Sequence, residues 1–424
     1  MLKKIIHTFF SKILVALCNL LVAVVISQYL HASGKGVQGI IITDIAMLLI
    51  FTNIVCGAVL VYLTPRYKTF QLLVPAYIWS IFIGLCAFVL FSVTSFFHND
   101  YTFHIVLLTV LNSFFTVNNT ILVGKEEIKS ANLVNSIQSS SLIAFLLLFY
   151  MGFGWCNIQF YLYALYISYF ISIIISSFKL KKHIKFQWLK LSEMKPVFKD
   201  SFKYGLINQA SHILQLLNFR ISYYFLDYFS GKSSVGIYSN AIQISESIWI
   251  VSSSICMVQY ARISNSNDLK QSQMLTAQLV QIGLAVTFVL CVILLFLPAQ
   301  LFMIIFGPDF GEVSTVIKSL IPGIFIYNFA LIIGHYFSGI GRYKTNTCAS
   351  LIGLVATALA APIMINKYSY IGAGLASSIS YAFTSAFVIY VFVRESKISI
   401  LNLLPKYSVL KQQVLQIKNN FINE

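Results

Sequence analysis

The chain has 424 residues, 58% of them hydrophobic and only 10% charged, with a formal charge of +16 at pH 7 and a mean hydropathy of +0.81. So apolar a composition excludes both a soluble globular domain and a disordered one. The positive charge is sorted along the chain as membrane loops sort it, which removes nucleic acid as its explanation.

A hydrocarbon core about 30 Å thick needs roughly 20 apolar residues in a helix. The chain offers twelve such stretches, near 9–30, 39–63, 70–96, 103–123, 131–152, 158–178, 203–228, 236–261, 273–297, 313–339, 345–366 and 371–393. The first follows Met1-Leu2-Lys3-Lys4. It is too long for the apolar region of a signal peptide and no small-residue cleavage site follows it, so it is read as a span. These spans consume almost the whole chain and leave no soluble catalytic domain.

The Lys and Arg residues fall into alternate gaps. With the N-terminus in the cytoplasm, 24 lie on that side, eight of them between Lys179 and Lys203. The opposite side has three, Lys35, Lys232 and Lys367, while Arg220 and Lys318 fall inside spans. This division predicts a multi-pass protein with both termini cytoplasmic. The basic segment 179–202 is read as a linker resting on anionic lipid headgroups. It separates an N-terminal six-helix lobe, 1–178, from a C-terminal one, 203–393, followed by a cytoplasmic tail, 394–424. Seven scattered cysteines, with only Cys156 in an outer loop, suggest neither disulfides nor a metal site.

Both halves begin in the cytoplasm, so related halves would be parallel repeats. Ser33-Gly34-Lys35-Gly36-Val37-Gln38-Gly39-Ile40 after span 1 and Ser230-Gly231-Lys232-Ser233-Ser234-Val235-Gly236-Ile237 after span 7 both read S-G-K-x-x-x-G-I. Each is expected to form a tight outer hairpin in which glycine permits positive φ. A P-loop is excluded for the second copy, because Leu226 stands where the first glycine would be.

An ionised side chain at mid-helix costs about 2.5–3.5 kcal/mol on insertion scales, so it faces a bundle interior or a wet cavity. Arg220 lies about eight residues from the outer end of span 7, roughly 12 Å at 1.5 Å per residue. It is either a bidentate clamp on phosphate oxygens or a structural partner of a carboxylate. Span 7 also carries His212, Gln215 and Asn218 among other polar residues, which line a cavity or serve as interhelical hydrogen-bond glue. Glu246, about ten residues into span 8, either exchanges a proton or sodium ion or balances Arg220. Asp44 is a second acidic candidate for ion coupling, with plain interfacial solvation as its alternative. Lys318 joins the cavity candidates or snorkels outward. Pro322 predicts a kink in span 10.

Leu217-Asn218-Phe219-Arg220-Ile221-Ser222-Tyr223-Tyr224-Phe225, Val235-Gly236-Ile237-Tyr238-Ser239, Ile244-Ser245-Glu246-Ser247-Ile248-Trp249 and Gln259-Tyr260-Ala261-Arg262-Ile263-Ser264 resemble the seventh and eighth helices of the Wzx-type polysaccharide flippases. These belong to the superfamily that also holds the MATE exporters and the lipid II flippase. Phe306-Gly307-Pro308-Asp309-Phe310, Gly339-Ile340-Gly341-Arg342-Tyr343-Lys344 and Gly372-Ala373-Gly374-Leu375-Ala376 are similar to that family as well. Ser222 and Ala261 depart from it, standing where members often carry an acid and a proline.

The resemblance implies an all-α, MATE-like fold of 12 transmembrane helices in two pseudo-symmetric six-helix lobes around a cationic cavity. It implies alternating-access transport of an undecaprenyl-diphosphate-linked oligosaccharide to the outer leaflet, alongside other polysaccharide-assembly proteins and without a cofactor. Two other classes compete. A polysaccharide polymerase needs a large outer loop, whereas the longest outer gap, 298–312, has no Lys, Arg or His. A MATE-type small-molecule antiporter would present an acidic or aromatic cavity for cations, whereas a buried arginine and few buried acids favour an anionic substrate.

Overall fold

Inside hydrocarbon every backbone N–H and C=O must find an internal partner, and an apolar chain of this kind answers with helices. The computed structural model describes residues 2–57, 59–93, 101–184, 191–264 and 268–405, and among them there is no strand. The α-helices, in chain order, are α1 (Leu2–Cys56), α2 (Val59–Leu63), α3 (Thr69–Val93), α4 (Thr102–Gly124), α5 (Ile128–Leu147), α6 (Ile158–Leu180), α7 (Leu191–Ser247), α8 (Trp249–Ser264), α9 (Leu269–Leu295), α10 (Ala299–Phe306), α11 (Val313–Gly339) and α12 (Tyr343–Ser396). Among the described residues, eight helical stretches are long and apolar enough to cross a membrane, and two of them run for 54 residues each. The protein is a multi-pass membrane protein.

The described residues of the predicted spans fall almost entirely on helix, but the helices join the spans differently than expected. α1 carries span 1 and most of span 2, which ends on α2; α7 carries span 7 and the first part of span 8, and α12 carries spans 11 and 12. Each of these long helices is broken at a single residue of non-helical backbone: His31 (φ 58°), Gly231 (φ 78°) and Ser369 (φ 50°). Positive φ is free for Gly231 and strained for the other two. Residues 94–96 of span 3, Lys190 in the basic linker and the tail beyond residue 405 lie outside the described residues.

The expected hairpin at Ser33–Ile40 is corrected. Those residues are helical, and the break comes earlier, at His31. Gly34, the counterpart of Gly231 in the repeated motif, is helical. The two copies of S-G-K therefore bend at different registers. Lys35 is also not a solvated loop residue: it is 3% exposed and its Nζ donates to Gln38 Oε1 at 2.7 Å. Gln38 in turn donates to the Tyr161 hydroxyl at 3.2 Å. The longest outer gap, 298–312, holds α10 and a 3-10 turn over Pro308–Phe310.

The chain divides into two compact units, residues 1–213 with 305–307, and residues 214–304 with 308–424. In the first, α1 packs on α3, α4 and α5, and α6 on α4 and α5. Its cores gather Ile26, Ile41, Leu146 and Leu162 in one cluster, and Leu60, Leu63, Ile121 and Leu180 in another. In the second, α11 packs against α8, α9 and α12 around Val280, Leu284, Ile332, Ile333 and Phe337. Asp268 caps α9, accepting from the N–H groups of Lys270 and Gln271 at 2.9 and 3.1 Å.

Pro322 lies inside α11, where it removes one backbone donor. Ser378 of α12 fills the defect. Its hydroxyl donates to the Ser319 carbonyl at 2.7 Å, lies 3.3 Å from the Leu320 carbonyl and accepts from the Gly323 N–H at 3.3 Å.

Candidate functional site in the C-terminal unit

The charged residues of this unit's interior are placed by α7 on both sides of its break. Arg220 lies before Gly231 and Glu246 after it, one residue short of the end of α7. The predicted span 8 does not run on as one helix there: Ile248 separates α7 from α8, its N–H reaching back only to the Ser245 carbonyl at 3.4 Å. The Ile244 carbonyl at this joint accepts from the Ser247 hydroxyl at 2.6 Å.

Arg220 and Glu246 each turn to a tyrosine. Arg220 Nη1 donates to the Tyr223 hydroxyl at 3.1 Å, and its guanidinium carbon stands 5.3 Å from the centre of that ring. The Tyr381 hydroxyl of α12 donates to Glu246 Oε1 at 3.2 Å. Among the described residues no ion pair within 4.0 Å joins the two charges. Both keep part of their surface accessible, while Tyr223 and Tyr381 are buried. A guanidinium has five N–H donors, and the bond to Tyr223 is the one Arg220 makes among the described residues.

The tyrosines are themselves braced. Tyr223 meets the edge of Tyr238 with ring centres 5.4 Å apart, and the Tyr238 hydroxyl lies 2.9 Å from Ser377 Oγ. Tyr381 sits in an aromatic cluster with Phe219, Trp249 and Tyr327, at centroid distances of 5.6, 5.4 and 4.9 Å. Trp249 is fixed by its indole N–H, which donates to the Ile324 carbonyl at 3.1 Å. Such packing holds both phenols without a solvent-exposed loop.

The remaining predicted site residues separate. Gln215 donates to the Tyr327 hydroxyl at 3.1 Å and so supports the aromatic cluster. Asn218 is not a cavity residue. It is buried, and its Oδ1 accepts from Thr357 and from Ser380, the latter at 2.8 Å, binding α7 to α12. Gly353 allows this approach, since a Cβ there would collide with Thr384 and Asn218. His212 is exposed and falls in the other unit; Lys318 is exposed, which fits the snorkelling alternative. Asp44 lies in the other unit and is 1% exposed, so interfacial solvation is ruled out for it. Tyr238, Trp249, Tyr327 and Tyr381 were not legible as site residues. In a chain with 24 tyrosines and 36 phenylalanines, an aromatic residue in an apolar span carries no local signal.

Comparison with known proteins matches this architecture. The chain is 24% identical over 388 residues to the capsular polysaccharide biosynthesis protein CapF of Staphylococcus aureus, covering 90% of this chain and 96% of that one. It is 24% identical over 295 residues to a putative O-antigen transporter of Shigella flexneri, covering 66% and 68%. No family model matches. Among solved structures, an inward-facing multidrug-resistance MATE transporter of the MOP superfamily superposes with a TM-score of 0.73 at 15% identity, over 90% of this chain and 94% of that one. The lipid II flippase MurJ in an inward closed conformation gives 0.73 at 15% identity, over 100% and 93%. The fold is MATE-like. The solved MATE-like neighbours are transporters and a flippase, not enzymes, and the sequence relatives are named for polysaccharide biosynthesis and O-antigen transport.

Proposed function

We propose that this protein is a flippase for undecaprenyl-diphosphate-linked oligosaccharide repeat units, carrying them from the inner to the outer leaflet of a bacterial inner membrane by alternating access. In this reading the chain crosses twelve times in two pseudo-symmetric six-helix lobes, with both termini cytoplasmic, and Arg220 binds the diphosphate. The supporting observation is a partly accessible guanidinium that, among the described residues, is held by Tyr223 through a single hydrogen bond and joined to no carboxylate. A planar fork with spare donors suits the oxygens of a diphosphate. The sequence relatives named for capsular polysaccharide and O-antigen point to the same substrate class.

Glu246, beside the interruption between α7 and α8, takes the coupling ion, a proton or sodium, in one state and releases it in the other. A polymerase is disfavoured because the longest outer gap is occupied by α10 and a 3-10 turn. A MATE-type antiporter of cationic small molecules shares the fold, but a site led by Arg220 repels its substrate.

Arg220→Ala is expected to abolish surface polysaccharide while leaving normal amounts of protein in the membrane. Arg220→Lys is expected to restore only part of it, because an ammonium is a point charge without the fork. Normal polysaccharide from Arg220→Ala removes the clamp. Loss of the protein from the membrane makes Arg220 a structural residue instead.

A further inference from the structure

Arg220 and Glu246 are both tied to one stretch of α12: Tyr223, which holds Arg220, packs on Tyr238, the Tyr238 hydroxyl meets Ser377, and Tyr381 one turn further on holds Glu246. A carboxylate and a guanidinium in a medium of low dielectric attract strongly and form a forked pair when nothing prevents it. Here something does. The carboxylate is held by the Tyr381 hydroxyl at 3.2 Å, on α12, and the guanidinium by the Tyr223 hydroxyl at 3.1 Å, on α7. Neither phenol can swing away freely, because Tyr381 is wedged among Phe219, Trp249 and Tyr327 and Tyr223 is packed on Tyr238.

We infer that Tyr381 is a positioning residue for anion binding: its hydroxyl keeps Glu246 from closing on Arg220, so that the guanidinium stays open to the two phosphates of a prenyl diphosphate. Glu246 is then an internal competitor for the same donors. When the Tyr381 bond breaks, the carboxylate takes the guanidinium and displaces the diphosphate, which gives the site a means of release. This inference rests on the reading of Arg220 as the diphosphate-binding group and adds to it the residue that sets the affinity.

The test is a double-mutant cycle on the full-length protein in detergent, with binding of inorganic pyrophosphate measured by calorimetry. Tyr381→Phe keeps the ring and its packing and deletes the hydroxyl. It is expected to weaken pyrophosphate about tenfold, the factor one hydrogen bond to a charged group is worth. Glu246→Gln removes the competitor and is expected to tighten binding several-fold, by the same order of interaction. Tyr381→Phe added to Glu246→Gln is expected to change nothing further, because there is no longer a carboxylate to restrain.

An equal loss from Tyr381→Phe in both backgrounds would show that the hydroxyl acts through the aromatic cluster, and the inference falls. So would a Tyr381→Phe protein that binds like wild type while Arg220→Ala does not bind. Pyrophosphate binding that is absent from wild type, or unaltered in Arg220→Ala, removes the underlying reading of Arg220 first. These failures are therefore distinguishable.

Discussion

Two ionisable residues in spans 7 and 8 drew notice in the sequence because burying a charge in hydrocarbon is expensive. The tertiary structure shows how Arg220 and Glu246 are accommodated, each on a phenol rather than on each other. It also separates residues that looked alike. Asn218 and Gln215 are both polar, one turn apart on α7. The first is consumed by Thr357 and Ser380 and the second by Tyr327. No spacing rule distinguishes a polar side chain that glues helices from one that faces water, because the difference lies on the neighbouring helix. At this scale the sharpest prediction concerns coupling. Glu246→Gln keeps shape and hydrogen bonding but cannot take up a cation. In reconstituted vesicles it should uncouple flipping from an imposed pH or sodium gradient while substrate still binds. Wild-type flipping indifferent to both gradients would exclude coupling, and gradient-driven flipping undiminished in Glu246→Gln would leave this acid as a competitor for Arg220 alone.

Proline within α11 was readable as a kink in span 10, but the sequence could not say what becomes of the freed backbone groups. Ser378 of α12 supplies the missing partner, through the Ser319 carbonyl and the Gly323 N–H. The expected consequence is mechanical: α11 and α12 are pinned together at the weak point of α11. Ser378→Ala should cost about 1 kcal/mol, the usual net worth of a buried hydrogen bond, and lower the thermal midpoint in detergent by about 2 °C for a chain of this size. Amide exchange at Gly323 should rise in parallel. An unchanged midpoint together with unchanged exchange would show that the hydroxyl is not holding the joint. Elsewhere the elements depart from expectation for local reasons. A repeated S-G-K motif predicted two matching hairpins, yet the backbone breaks at His31 in one copy and at Gly231 in the other. Glycine makes a positive φ cheap without obliging it, so the position of a break is decided by what the flanking helices pack against.

Orientation is a property of the whole molecule and can be tested independently of substrate. On a cysteine-free background, which removes the exposed Cys156, Lys367→Cys should react with an impermeant thiol reagent applied to intact cells, and Lys344→Cys should not. Both positions are exposed. Lys35→Cys, although also assigned to the outer side, should remain unreactive because that side chain is buried against Gln38. Labelling of Lys344→Cys without labelling of Lys367→Cys would invert the topology.

By itself the sequence determined that this protein is an all-helical, multi-pass membrane protein. That follows from hydropathy summed over some twenty residues, a quantity that needs no knowledge of neighbours. The sequence also put Arg220 and Glu246 among its candidates, beside Asp44 and Lys318, since the cost of burying a charge marks each such residue without telling one from another. Only the tertiary structure decided which groups meet. The Tyr381–Glu246 bond spans 135 positions and the Asn218–Ser380 bond 162. Contacts at that separation depend on how helices pack side by side, which in a membrane is set by close fit and hydrogen bonding rather than by the hydrophobic pattern a sequence displays.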